Sequence, residues 1–137
     1  MHPARTLYRL AHSPRDLSAC HRLARDHGMD AKTFTFPTVV ADREGEIVGF
    51  LATQPSKTAV VAGPLAVATP RPLITVLRLL EAYENVLKAA GVSHYYFEVD
   101  AANHDWLRMI EQSSEQVNSI QPVQSTPEGT WHRRRLA

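Results

Sequence analysis

Glycine and cysteine are scarce in this sequence, six and one among 137 residues, and their scarcity restricts what the chain can do. A single cysteine, Cys20, excludes an intrachain disulfide and any cysteine-rich zinc site. It falls on the apolar side of an expected helix, where a free thiol is ordinarily a small core residue. An excess of charge of one sign is also missing: 15 Lys+Arg against 14 Asp+Glu leave a formal charge of +1, which supplies no global field for nucleic acid or an anionic membrane. No window approaches the ~18 apolar residues of a membrane span, and the opening MHPARTLYRLAHSPRD lacks an apolar run suited to a signal peptide. None of the histidines pairs at a helical metal-ligand spacing, since His21 and His27 are six apart rather than four, so no metal is expected.

What is present suits one globular domain over residues 1–137, because 44% hydrophobic residues in a chain of this length suffice for a core. Residues 5–10 alternate as a first strand. Ser13-Pro14-Arg15-Asp16 then starts a helix, with Ser13 as N-cap and Asp16 reaching back. Its inward face is Leu17, Cys20, Leu23, Ala24 and His27, and Gly28 is its left-handed C-cap. Residues 29–37 look irregular, with Phe34 and Phe36 pinning a loop or a short turn of helix. A hairpin follows, 38–41 and 47–53, turning at Asp42-Arg43-Glu44-Gly45. Residues 58–67 form an interior β run that Gly63-Pro64 interrupts, so pairing should break there.

The longest expected helix spans 72–90, with a stripe of Leu73, Val76, Leu77, Leu80, Tyr83, Leu87 and Ala90, a Glu84/Lys88 pair and Gly91 as cap. A strand at 92–100 sets Tyr96, Glu98 and Asp100 on one face and Tyr95, Phe97 and Val99 on the other. A short helix at 103–112 turns Trp106, Leu107 and Ile110 inward. The tail, 117–136, makes two edge strands around Pro127-Glu128-Gly129.

LAVATPRPLITVLRLLEAYE is where chemistry is expected. An apolar run that turns into a long helix is a common setting for a phosphate, held by backbone N–H groups at the helix start. Such turns are rich in glycine, yet Ala68-Thr69-Pro70-Arg71-Pro72 has none. The prolines have no N–H to donate, and Leu73 and Ile74 add bulk where glycine would let a backbone approach closely. Losing two charge-assisted hydrogen bonds at roughly 1.5–3 kcal/mol each lowers affinity by about two to four decades.

Three patterns, in order and at the right spacing, resemble the GNAT acyltransferase superfamily over nearly the whole chain: REGEIVGFLA as a hairpin, AGPLAV before a long helix as the bulged fourth strand, and VDAANHDWLRMI as the fifth strand, asparagine and fourth helix. The resemblance implies an α/β (α+β) fold, a mixed and mostly antiparallel sheet of six to seven strands with a bulged, splayed central strand and flanking helices. It also implies that the pantetheine arm of acetyl-CoA would pair with the backbone of Leu65 and Val67. The pyrophosphate would sit on loop 69–75, where the family's Gln/Arg-x-x-Gly-x-Gly/Ala motif is absent. Arg71, Arg78 and the N–H groups of Leu73, Ile74 and Thr75 are the candidate substitutes, and Asn103 stands at the family's asparagine. The family's acid, a tyrosine seven residues beyond that asparagine, is here Ile110. Glu98 is the candidate base and Tyr96 the second choice.

Two functions remain open. One is a GNAT-like module that has lost acetyl-CoA chemistry and binds other protein subunits. Certain virion-associated proteins of short-tailed bacteriophages are similar in keeping a long helix, an aromatic strand and an Asn-x-x-aromatic helix without the glycine loop. The other is an active N-acyltransferase using acetyl-CoA. The expected location is the cytoplasm, or the virion for a phage-encoded chain. Trp131-His132-Arg133-Arg134-Arg135 invites a nucleic-acid reading. On a strand, however, Arg133 and Arg135 point one way and Arg134 the other, which favours a solvated edge or a protein contact. Phe34, Phe36 and Trp131 are candidates for an exposed binding patch.

Overall fold

A computed structural model describes residues 5–29, 34–100 and 120–136. The elements are β1 (Thr6–Leu10), α1 (Pro14–Asp26), β2 (Thr35–Arg43), β3 (Glu46–Gln54), β4 (Val61–Val67), α2 (Pro72–Ala89), β5 (His94–Asp100), β6 (Ile120–Ser125) and β7 (Gly129–Arg135). They build one seven-stranded sheet in the order β1-β2-β3-β4-β5-β7-β6. Only β4 and β5 run parallel; the other neighbours are antiparallel. The mixed, mostly antiparallel sheet expected from the sequence is therefore present.

Alternation along the central strands divides the core in two. Val39, Ala41 and Leu51 face α2, where Leu79, Tyr83 and Leu87 meet them, with Tyr95 of β5 in the same cluster. Val40, Phe50 and Ala52 face α1, with Cys20, Ala24 and Ala66. Burial pushes the Cys20 thiol up to about 12, so it stays protonated and inert, as a core cysteine should. No helix among the described residues is long and apolar enough to cross a membrane.

Local signals in the sequence set both helix ends. The Ser13 side chain accepts from the Asp16 N–H at 3.2 Å, and the Asp16 carboxylate accepts from the His12 N–H at 3.1 Å. Each helix ends alike: Gly28 (φ 71) and Gly91 (φ 79) turn left-handed, and Met29 N–H reaches Ala24 O at 2.8 Å as Val92 N–H reaches Leu87 O at 2.9 Å. Glu44 and Gly45, both at positive φ, close the hairpin, and Gly45 N–H donates to Asp42 Oδ1 at 2.8 Å. Asp42 also accepts from Arg9, which holds Asp16 through both terminal nitrogens at 2.8 and 3.0 Å. One guanidinium thus ties β1, α1 and β2 together.

Several expectations need correction. Strand β2 begins at Thr35, because Thr35 pairs with Thr53 beyond an irregularity, so most of the expected loop at 29–37 that is described joins the sheet. Phe34 stacks on His21 at 4.4 Å and leans on Phe50. The buried face of α2 is Thr75, Val76, Leu79, Tyr83, Glu84 and Leu87, while Leu73 and Leu77 are exposed. In α1, Leu17 and His27 are exposed and Asp16 is buried instead.

Gly49 explains the rotation of α2. A Cβ there would lie 3.3 Å from Ala66 O and 3.4 Å from both Leu79 Cδ1 and Thr75 Cγ2. The missing side chain lets the first turns of α2 lean on β3 through Thr75 and Leu79, which turns Leu73 and Leu77 outward. Gly49→Ala is therefore expected to destabilise by about 1–3 kcal/mol in urea unfolding, since a strand carbonyl and a packed core must give way. A variant within about 0.5 kcal/mol of the parent would refute the close approach.

The expected Glu84/Lys88 pair does not form. Glu84 is buried and accepts from Arg134 Nε at 2.8 Å and Nη2 at 3.0 Å, and from the Tyr95 hydroxyl at 2.7 Å. Burial, with the Glu84 carboxylate beside it, pushes the Tyr95 hydroxyl well up, so it remains a donor. The partner that prevails is fifty positions away in sequence. Accordingly β7 is not an edge strand: it lies between β5 and β6, with His132 and Arg134 buried and Arg133 and Arg135 exposed.

Candidate functional site

The bulge expected at Gly63-Pro64 is where the sheet opens. Leu51 pairs with Leu65 and Thr53 with Ala62, so three residues of β4 advance against two of β3. Gly63 sits at φ 128, a region that only glycine adopts readily. The extra residue reverses which backbone groups face β5. Val60 O, before the bulge, accepts from Tyr96 N–H at 2.9 Å, and Val61 with Tyr96 is the one pair in register between β4 and β5. Beyond it, Ala68 N–H returns to β3, to Val48 O at 2.8 Å. By alternation Ala66 also faces β3, while Leu65 and Val67 turn their N–H and C=O groups toward β5. Strand β5 meanwhile pairs along its whole length with β7. The two parallel strands thus part after Tyr96, and Leu65 and Val67 line the open side.

One of those groups is engaged. His27, just past α1, has Nε2 3.2 Å from Val67 O and Nδ1 2.9 Å from Leu23 O. The sequence placed His27 on the inward face of a helix and gave no sign of this bridge, since the contact joins residues forty apart.

The start of α2 lies at the same end of β4. Its N-cap is Arg71, with no side-chain capping bond, followed by Pro72. Thr75 departs from expectation: its N–H donates to Arg71 O at 3.3 Å, its hydroxyl to the same oxygen at 3.2 Å, and it is buried. That leaves the N–H groups of Leu73 and Ile74, which as first-turn donors have no acceptor inside the helix. Around them the surface is apolar: Leu73 is 50%, Ile74 49% and Leu77 36% exposed. Arg71 is exposed, and Arg78 pairs with Glu81 at 3.3 Å on the surface.

Glu98 is exposed and Tyr96 half-buried on the sheet face opposite Tyr95 and Val99, as alternation requires. Across β7, Glu98 stands opposite Trp131 and Tyr96 opposite Arg133. Asn103, Ile110 and the helix expected at 103–112 lie outside the described residues. The proposed patch of Phe34, Phe36 and Trp131 does not assemble: Phe36 is exposed beside β3, whereas Trp131 is four strand spacings away, about 19 Å.

No protein-family model matches the chain, and no curated protein sequence matches it. Solved structures do match its fold. Aminoglycoside 6'-acetyltransferase type Ii superposes with a TM-score of 0.75 at 17% identity, covering 96% of this chain and 97% of its own. Ard1 from Thermoplasma volcanium gives 0.73 at 16% identity, covering 96% and 98%. An aminoglycoside 6'-N-acetyltransferase complexed with coenzyme A gives 0.68 at 16% identity, covering 96% and 97%. The fold is the GNAT fold.

Proposed function

We propose that this GNAT-fold chain works as an interaction or structural module, having lost the acetyl-CoA chemistry of the enzymes it resembles in fold. The observation that carries this reading is the apolar start of α2. Where an anion would need close backbone approach, Leu73, Ile74 and Leu77 present half-exposed aliphatic side chains behind Pro70-Arg71-Pro72. Desolvating such a surface favours a protein subunit and disfavours a pyrophosphate. The Val67 carbonyl, which a pantetheine arm would need, already has His27 against it. A bacteriophage particle is one setting for such a module, in keeping with the resemblance to virion-associated proteins; the cytoplasm is the other.

A second reading is favoured by the open edge of β4. In an active N-acyltransferase, Leu65 and Val67 would pair with the pantetheine of acetyl-CoA; one neighbour in fold is complexed with coenzyme A. Arg71, Arg78 and the N–H groups of Leu73 and Ile74 would meet the phosphates. Glu98, directly or through water, would take the proton of an attacking amine as the thiolate leaves, with Tyr96 beside it. Asn103 would flank the site.

Calorimetric titration with acetyl-CoA separates the two. At about 100 μM, where an ordinary KM-like affinity would register, no saturable heat is expected, nor up to about 1 mM. Saturable binding that Arg71→Ala weakens would overturn the loss of the acetyl-CoA site and favour the enzyme.

A further inference from the structure

Tyr96 marks the closed end of the β4–β5 junction, and the sheet face beyond it, away from the splay, carries a second feature. Ser93, His94, Arg133 and Arg135 line a recess of about 280 Å³. The register sets His94 directly opposite Arg135 and Tyr96 opposite Arg133, with cross-strand Cβ atoms about 4.5–5.5 Å apart. The two arginines, two residues apart on one face, lie about 7 Å from each other.

Among the described residues, the four side chains that line the recess can each donate a hydrogen bond, and none of the four is a carboxylate. Arg133 gives Nη2 to the neutral Gln121 Oε1 at 2.8 Å. Among the described residues neither Arg133 nor Arg135 forms an ion pair, in contrast to Arg134 on the opposite face. The Ser93 hydroxyl lies 2.9 Å from His94 Nδ1, which leaves Nε2 of that ring for another partner. The ring is also steadied edge-on against Tyr96, with centroids 5.6 Å apart.

Guarding a sheet edge would ordinarily explain arginines on a terminal strand. It fails here, because β7 is interior and β6 is the edge. Arg133 and Arg135 are adjacent on one face, and although Glu98 lies diagonal to Arg133 it forms no ion pair with it, so an anion that meets both guanidiniums would be favoured there. A carboxylate would satisfy one guanidinium in a planar fork. A phosphoryl group has enough oxygens, tetrahedrally spread, for both arginines and for His94 or Ser93 as well. The volume lies just below the ~300–1,000 Å³ of drug-sized pockets, so it admits a phosphoryl group with few atoms attached.

We propose that Ser93, His94, Arg133 and Arg135 form a binding site for the phosphoryl group of a small phosphorylated molecule, separate from the β4–β5 splay. The test is an amide NMR titration of the full chain with sodium phosphate against sodium chloride at matched ionic strength. Saturable shifts are expected at residues 93–94 and 133–135, with a dissociation constant of about 0.1–1 mM. Arg135→Gln, an exposed change, should weaken binding at least about tenfold and leave the rest of the spectrum in place. Shifts that follow ionic strength alone, or that survive Arg135→Gln unchanged, would refute the site. Malonate binding as tightly as phosphate would overturn the phosphoryl assignment. Tighter binding of a short oligothymidylate, with shifts spreading to Tyr96 and Trp131, would overturn the small-molecule assignment in favour of a polymer backbone.

Discussion

Glu84→Ala is expected to lower stability by about 3–5 kcal/mol, because it takes a carboxylate that holds two nitrogens away from the buried Arg134 guanidinium and leaves the Tyr95 hydroxyl without its acceptor. Both side chains of the pair are only 9% exposed, so water cannot take over the lost contacts. In a domain of this size the loss should appear as a fall in melting temperature of about 10–20 °C. The cost belongs to keeping a guanidinium buried without this carboxylate more than to the attraction between the two groups. Glu84→Leu combined with Arg134→Met should therefore recover more than half of the loss, as replacing both members of a buried pair by apolar groups often does. Thermal unfolding followed by circular dichroism would measure all three proteins. A single variant within about 1 kcal/mol of the parent would show that the pair is open to solvent.

The second large effect concerns acid. Hydrogen bonds from Arg9, aided by the His12 N–H and opposed by burial, hold the Asp16 carboxyl well below its usual range. A carboxyl held low in the native state binds fewer protons than the unfolded chain does, so its contribution is complete above the ordinary aspartate value near ~3.9. It is then lost as pH falls through and below that value toward the native one. Asp16→Asn is expected to lose about 2–3 kcal/mol at neutral pH, since Arg9 keeps Asp42 as a partner and the cap is only partly preserved. The same variant should show a shallower decline than the parent as pH falls from about 5 to 3. Parallel declines in urea denaturation across that window would remove Asp16 as the source of acid sensitivity.

Much of the framework was legible because its causes are local. Ser13, Gly28, Gly45, Gly63 and Gly91 each act through their own φ or their own side chain, and each stands where the sequence put it. The bulge at Gly63-Pro64 was likewise legible. What escaped was set by distant partners. Lys88 looked like the companion of Glu84 because it is four residues on, yet Arg134 offers a planar guanidinium in a dry site. The stripe on α2 was assigned by apolarity, whereas Gly49 selects Thr75 and Leu79 by closeness of approach. The His27 bridge to Val67 and the recess beside Arg135 both depend on which strands become neighbours, which composition and periodicity do not encode. The last strand of the chain looked peripheral for the same reason.

The position of β7 bears on how the sheet closes. Of the two strands after β5, the later in sequence lies inside the sheet and the earlier outside, so β6 reaches the rest of the sheet through β7. Arg134 brings its guanidinium to the Glu84 carboxylate from that inner strand, so one ion pair fastens the hairpin to the helix beneath the sheet as well as to its neighbouring strand.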